Sequence, residues 1–186
     1  MPGKMEIDEG ILDDAVKQAL AMGAKYADIR LDTGFSEGAS AENGDIKDVS
    51  AGEGTSIGVR ALAGGTWGFH SADVPGPDVL KDTLSRCVEL AVQAAKASAK
   101  FEEVMLAEVK PVVARVKCGV KERPPAVEEL KRLAVEVSRR MREVDNIVMS
   151  IHGIGYSDES KYFWSTEGAK IVEDRLRCEG TLYAVA

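Results

Sequence analysis

Asn43-Gly44 is the feature that most restricts how this chain can fold. The favoured two-residue β-hairpin turn needs φ > 0 at both central positions, which Asn and Gly adopt most readily. The flanking sequence suits two paired strands. Ala27, Ile29 and Leu31 alternate with Asp28, Arg30 and Asp32, the period of a half-buried strand over residues 26–33, and residues 44–51 read as the returning strand. Gly52, Glu53 and Gly54 read as a further turn before a strand over 56–63. Gly64-Gly65 reads as another tight hairpin leading into a strand over 66–70. Four or five short antiparallel strands therefore form a meander.

Helices flank this meander. Ile11, Leu12, Ala15, Val16, Ala19 and Leu20 recur at helical spacing, with Asp8 able to cap the start and Gly23 to end it, so a helix spans 8–22. Pro75, Gly76 and Pro77 stop the sheet, and Pro77 suits the first turn of a long helix reaching about residue 100. Its apolar stripe is Val79, Leu80, Thr83, Leu84, Cys87, Val88, Ala91 and Ala95. Periodicity then fades, with Pro111, Pro124 and Pro125 as interruptions, so residues 101–125 read as a linker. A third helix follows, with Val127, Leu130, Ala134, Val137 and Met141 on one narrow face. Beyond it lies a second strand group. Residues 147–156 form one strand, 158–160 turn, 161–166 return, Glu167-Gly168 turn again, and 169–177 and 181–186 make two more. The fold class is thus α+β, with antiparallel meander sheets packed against about three helices. The division is 1–100, a linker at 101–125, and 126–186. The last stretch, 181–186, is an apolar strand pattern without a polar tail, so the second unit is expected to be truncated at its carboxy terminus.

The chemistry-bearing residues are sparse. His70 and His152 are the only histidines, both on expected strands, and no His-Glu-x-x-His pair occurs. Ordinary hydrogen bonds or solvent are expected to satisfy both. Cys87, Cys118 and Cys178 are an odd number at wide spacing, which disfavours disulfides and structural zinc and fits a reducing cytoplasm. There is no Gly-x-Ser-x-Gly nucleophile elbow. Ser56 lies where a small residue is expected, between Gly54 and Gly58, and the glycines of 52–58 lack the spacing and the following helix of a phosphate loop. Asp13-Asp14 and Glu102-Glu103 read as solvated acids. No catalytic, cofactor-binding or metal-binding residue is therefore assigned. Trp67, Phe69, Tyr162, Phe163 and Trp164 form two aromatic groups, read first as core anchors and second as a peptide or subunit surface. The net charge of −7 argues against direct nucleic-acid binding, and the acids and bases of 128–143 interleave as on a solvated helix face. No apolar run is long enough for a membrane-spanning helix, and the first ten residues lack an apolar signal core.

One ordered set of motifs stands out. Ala27, Asp28, Ile29 and Arg30 precede Glu42, Asn43, Gly44, Ile46 and Val49. Then follow Gly54, Ile57, Gly58, Val59 and Arg60, and after them Gly65, Trp67, Gly68 and Phe69. Arg86, Leu90 and Ala91, then Tyr156, Ser157 and Asp158, then Ser165, Thr166, Glu167 and Gly168 continue the series. Together they resemble the amino-terminal half of the TldD/PmbA metallopeptidase family, also called modulators of DNA gyrase. The resemblance implies a non-catalytic amino-terminal region of a metal-dependent peptidase, with the zinc-binding His-Glu helix in a carboxy-terminal half this chain does not contain. It also implies a homo- or heterodimer with a TldD/PmbA-type subunit, around a chamber that holds an unfolded peptide as an added strand. A second reading is a stand-alone scaffold subunit that pairs with a separate catalytic one. Direct action on DNA, suggested by the family's older name, is disfavoured by the charge.

Overall fold

The computed structural model describes residues 4–98, 104, 106–122 and 126–186. The elements are α1 (Glu9–Ala21), β1 (Tyr26–Glu42), β2 (Asp45–Ala63), β3 (Thr66–Asp73), α2 (Leu80–Ala97), β4 (Val113–Gly119), α3 (Val127–Arg142), β5 (Met149–Ser165) and β6 (Lys170–Val185). A single 3-10 turn, Pro77–Val79, leads into α2. The six strands form one sheet in the order β3-β2-β1-β5-β6-β4. Every neighbouring pair is antiparallel except β4 and β6, which run parallel. The α+β class stands, with three helices and one mostly antiparallel sheet spanning both strand groups.

The local signals for helix and turn act as expected. The Asp8 side chain accepts from the Gly10 N–H at 2.9 Å, and Gly23 leaves α1 at φ 85° while its N–H donates to the Leu20 carbonyl. Asn43 and Gly44 take φ 53° and 91°, and Gly64 and Gly65 take 63° and 86°, so both tight hairpins form where the sequence places them.

The strands are longer and fewer than the meander reading. Gly52, Glu53 and Gly54 do not turn; they pair with Ser36, Phe35 and Gly34, and β2 runs through them unbroken. Residues 158–160 likewise stay extended, facing Phe35, Gly34 and Thr33 of β1 on one side and β6 on the other. Residues 177–181 also remain within β6. In each case a continuous ladder on the partner strand satisfies the backbone, and this outweighs the local turn preference of Gly or Asp. Val113–Gly119, inside the expected linker, is a strand because its backbone is claimed by β6 from Lys170 to Leu176. Pro124 and Pro125, Glu102-Glu103 and the helix end at 99–100 lie outside the described residues.

All three helices lie on one face. In β1, residues Ala27, Ile29 and Leu31 pack toward α1 and α2, and Ala39 and Ala41, in the same phase, pack toward α3. The main core joins Leu12, Ala15 and Ala19 of α1 and Leu84, Val88, Ala91 and Ala95 of α2 to Ile57, Val59, Ala61 and Ala63 of β2. Small residues let α2 lie close to the sheet. At Gly68 a Cβ would overlap the Ala91 carbonyl and the Ala95 backbone. The buried ridge of α3 is Leu130, Ala134 and Ser138, so Ser138 takes the place expected for Val137. It can do so because its hydroxyl accepts from the Gly44 N–H and its carbonyl from the Ser150 hydroxyl, each at 2.7 Å. No described helix is long and apolar enough to cross a membrane.

Candidate functional site

The opposite face of the sheet is covered by no described helix, and the residues on it follow from the two-residue period. On β1 they are Asp28, Arg30, Asp32, Gly34 and Ser36; on β2 Arg60, Gly58, Ser56, Gly54 and Gly52; on β5 Phe163, Lys161, Glu159 and Ser157. The small residues at its centre leave a shallow trough of about 380 Å³, floored by Gly34, Ser36, Gly52, Gly54 and Ser56. Gly34 is needed there, since a Cβ would come within 2.9 Å of the Asp158 carbonyl oxygen. A second cavity of about 470 Å³ opens where β3 leaves β2, between Glu53, Gly54, Val74 and Pro75, with Met5 and Glu6 on its far side.

β2 and β6, the strands next to the two short outermost ones, are paired on their outer sides along only part of their length. β3 covers β2 from Ser56 to Ala63, and the Val74 N–H donates to the Thr55 carbonyl. The backbone groups of Glu53, Ala51 and Val49 point the same way by alternation and lie beyond β3. β4 covers β6 only as far as Leu176, whose carbonyl accepts from the Val120 N–H. Past it, Cys178, Gly180, Leu182 and Ala184 direct N–H and C=O outward by the same alternation. The two edges differ. Near Asn43-Gly44, β2 carries a bulge opposite Ser40/Ala41 and the charges of Lys47 and Asp48, devices that discourage strand addition. The β6 edge has no bulge in its register and leaves Leu182 64% and Tyr183 53% exposed.

Tyr26, Asp28, Arg60 and Trp67 form a tight group at the other end of the open face. Asp28 is buried and accepts from Arg60 Nε at 2.8 Å and Nη2 at 2.6 Å. Burial, reinforced by the Asp28 charge, raises the Tyr26 phenol above its ordinary value. Burial pulls the Arg60 guanidinium down, but the hydrogen bond and charge of Asp28 outweigh it and leave the value raised.

The residues weighed for chemistry do not converge. His70 pairs with Val59, which lies beside Ile29, whereas His152 pairs with Ala41, twelve residues further along β1 and roughly 40 Å away at the usual strand rise. Contrary to the expectation of ordinary hydrogen bonding, His152 Nδ1 is buried with no partner among the described residues. Cys87 lies in the core, and burial raises its thiol above the ordinary value. Cys118 is exposed on β4 and its thiol donates to Glu173 Oε1 at 3.2 Å; Cys178 is exposed on β6. Among the described residues no three His, Cys, Asp or Glu side chains gather as metal ligands would, so the residues present do not fit a catalytic metal. Asp13, expected to be solvated, instead accepts from Trp164 Nε1 at 2.9 Å and Lys170 Nζ at 2.6 Å. The aromatics divide by face: Trp164 is core, while Trp67 and Phe69 stand exposed on the open side. That division needs strand register, which sequence spacing alone does not supply.

The described residues form an α+β module with one helix-backed, mostly antiparallel sheet, and comparison with known proteins shows what it is similar to. Residues 27–95 match the family model PmbA/TldA metallopeptidase domain 1. The chain is 28% identical over 171 residues to the metalloprotease MJ0996 of Methanocaldococcus jannaschii, covering 89% of this chain and 36% of that relative. Among solved structures, TldE from Thermococcus kodakarensis superposes with a TM-score of 0.70 at 16% identity, over 95% of this chain and 39% of that one. A protein named as a candidate modulator of a DNA gyrase, from Thermotoga maritima, gives 0.64 at 17% identity, over 95% and 39%. The chain is thus similar to the amino-terminal part of longer TldD/PmbA-family proteins. It spans well under half the length of the relatives it matches.

Proposed function

We propose that this chain is the amino-terminal, non-catalytic region of a TldD/PmbA-type metal-dependent peptidase of the cytoplasm, contributing subunit pairing and part of a peptide-holding chamber. The observation that supports this is the pair of unpaired strand edges, on β2 and β6, that flank the open face. An edge captures extended polypeptide through backbone hydrogen bonds, with little demand on side-chain sequence. The β2 edge from Val49 to Glu53, next to the cavity at Gly54 and Val74, suits an added peptide strand. The β6 edge, regular and apolar at Leu182 and Tyr183, suits a homo- or heterodimer contact with a second TldD/PmbA-type subunit. Peptide hydrolysis and its zinc belong, in this reading, to ligands outside this chain.

Two measurements test the proposal. The chain alone, incubated with an unstructured peptide, is expected to give no cleavage; cleavage abolished by a chelator would overturn the non-catalytic assignment. A fluorescent unstructured decapeptide is expected to bind, and the same peptide N-methylated at alternate residues is expected to bind at least tenfold more weakly. Ala51→Pro removes one outward N–H from β2 without breaking an existing ladder bond and should weaken the peptide. Equal binding of the methylated peptide would rule out strand addition.

A further inference from the structure

Arg30 and Arg60 rise from the open face on neighbouring strands, diagonal to one another across the register pairs Asp28–Arg60 and Arg30–Gly58. One buried carboxylate lies between them. Asp28 Oδ2 holds Arg60, and Asp28 Oδ1 lies 3.5 Å from Arg30 Nε. Each guanidinium is also set against aromatic rings: Arg60 is 4.7 Å from the Trp67 centroid and 6.0 Å from that of Tyr26, and Arg30 is 5.7 Å from that of Phe163. Two planar cations are thus fixed in place before any ligand arrives, which lowers the entropy lost on binding.

An ion pair that merely fastens β1 to β2 accounts for Asp28 and for Nε and Nη2 of Arg60. It does not account for Arg30, which lies two residues from Asp28 on the same strand and forms no ion pair to another strand. Nor does it account for Phe69, 62% exposed beside Arg60 in the register. The terminal nitrogens of Arg30 have no acceptor among the described residues, whereas Arg60 is held by both Asp28 and the Tyr26 hydroxyl. The ion-paired trio of Asp28, Arg30 and Arg60 carries a charge of +1 on a chain whose net charge is −7, and Asp32, the next acid on this face, lies opposite Lys161. Arginine beside exposed Trp and Phe is also the composition of energetically dominant protein contacts.

We propose that Arg30, Arg60, Trp67 and Phe69 form a docking site for an acidic protein segment. Its carboxylate is received by the terminal nitrogens of Arg30 beside the Arg60 charge, and a neighbouring apolar side chain lies on Trp67 and Phe69. A polypeptide fits better than a small anion, because the strand backbone beneath is committed to the sheet and offers no N–H nest, while the flanking rings offer apolar contact. This site is on the sheet face and is independent of strand addition at either edge.

The test uses the whole chain and the blocked peptide acetyl-Leu-Glu-Leu-Glu-Leu-amide, with its Glu→Gln counterpart as control. Titration is followed by NMR at the Trp67 Nε1 and Arg30 Nε resonances. The Glu peptide is expected to shift both, with binding weakened by added salt and at least about tenfold weaker for the Gln peptide. Arg30→Gln and Phe69→Ser, both at exposed positions, should each weaken the Glu peptide about tenfold with an unchanged melting midpoint, and Ala51→Pro should leave it intact. Equal binding of the two peptides, or no effect of Arg30→Gln, overturns the proposal. Inorganic phosphate producing the same shifts at the same concentration overturns it in favour of a small-anion site. Self-association seen by sedimentation and abolished by Arg30→Gln, without peptide binding, overturns it in favour of a second copy.

Discussion

The Trp164 indole, on the helix-covered face of β5, donates its N–H to Asp13 Oδ1 at 2.9 Å, and the same oxygen lies 2.6 Å from Lys170 Nζ. A carboxylate on α1 thereby ties the helix to both strands of the β5–β6 hairpin. The Lys170 hydrogen bond is the largest influence on Asp13; burial opposes it, and the Trp164 bond adds to it, leaving the carboxyl below its ordinary value. The stabilisation is fully present above the unfolded-state value, about 3.9, and is lost as pH falls through the lowered folded-state value. Asp13→Ala is expected to cost about 1 kcal/mol at neutral pH, discounted for partial exposure, and less in acid. Urea titrations of both proteins at pH 7 and in acid measure the gap; one that widened in acid would contradict the assignment.

Ser138→Val is expected to cost about 1–3 kcal/mol, because it leaves the buried Gly44 N–H without its acceptor. Hydrogen exchange at the Gly44 amide should accelerate together with the loss in urea stability. A change in stability without faster exchange would place the cost elsewhere.

Gly68→Ala is expected to destabilise by about 1–3 kcal/mol, because the new methyl group drives β3 away from Ala91 and Ala95. Gly54→Ala is the control, since nothing lies within 4 Å of the position its methyl group would take, and it should be far milder. Thermal melts of the pair decide whether close helix approach sets the requirement at residue 68.

Zinc added in modest excess, or a chelator, is expected to leave the melting midpoint of this chain unchanged. A ligand that bound the folded state would raise it by mass action. A zinc-dependent rise lost in His152→Gln would reveal a site that the separation of His70 and His152 does not predict.

The readable parts of the sequence are those whose causes are local. Asp8 and Gly23 bound α1, and the sterics of Asn43-Gly44 and Gly64-Gly65 place two turns, because each signal acts within a few residues. The features that sequence patterns misplace depend on partners far away in the chain. Gly52, Glu53 and Gly54 have a turn composition, and only the presence of Gly34 to Ser36 alongside keeps them extended. β4 has no strong alternation of its own and is a strand because residues 170–176 pair with it. The helical period favours Val137 over Ser138, because a buried serine needs Gly44 and Ser150 nearby and the period does not disclose them. The candidate sites share this limit. The motif residues Asp28, Arg30, Arg60 and Trp67 are visible one by one, but their meeting on one face requires the register.

Among the described residues, the β1–β5 ladder is the one strand pairing that joins the two long hairpins, and it brings Asp28 beside Ser165. The β1–β2 and β5–β6 hairpins can each close over short loops, whereas the seam between them closes a loop that runs through α2, β4 and α3. Loop-closure entropy then makes the docking of one hairpin on the other the late, slow event in folding. Until it occurs, both β1 and β5 present unsatisfied edges, so this is the stage at which the nascent chain is most open to pairing with the wrong strand.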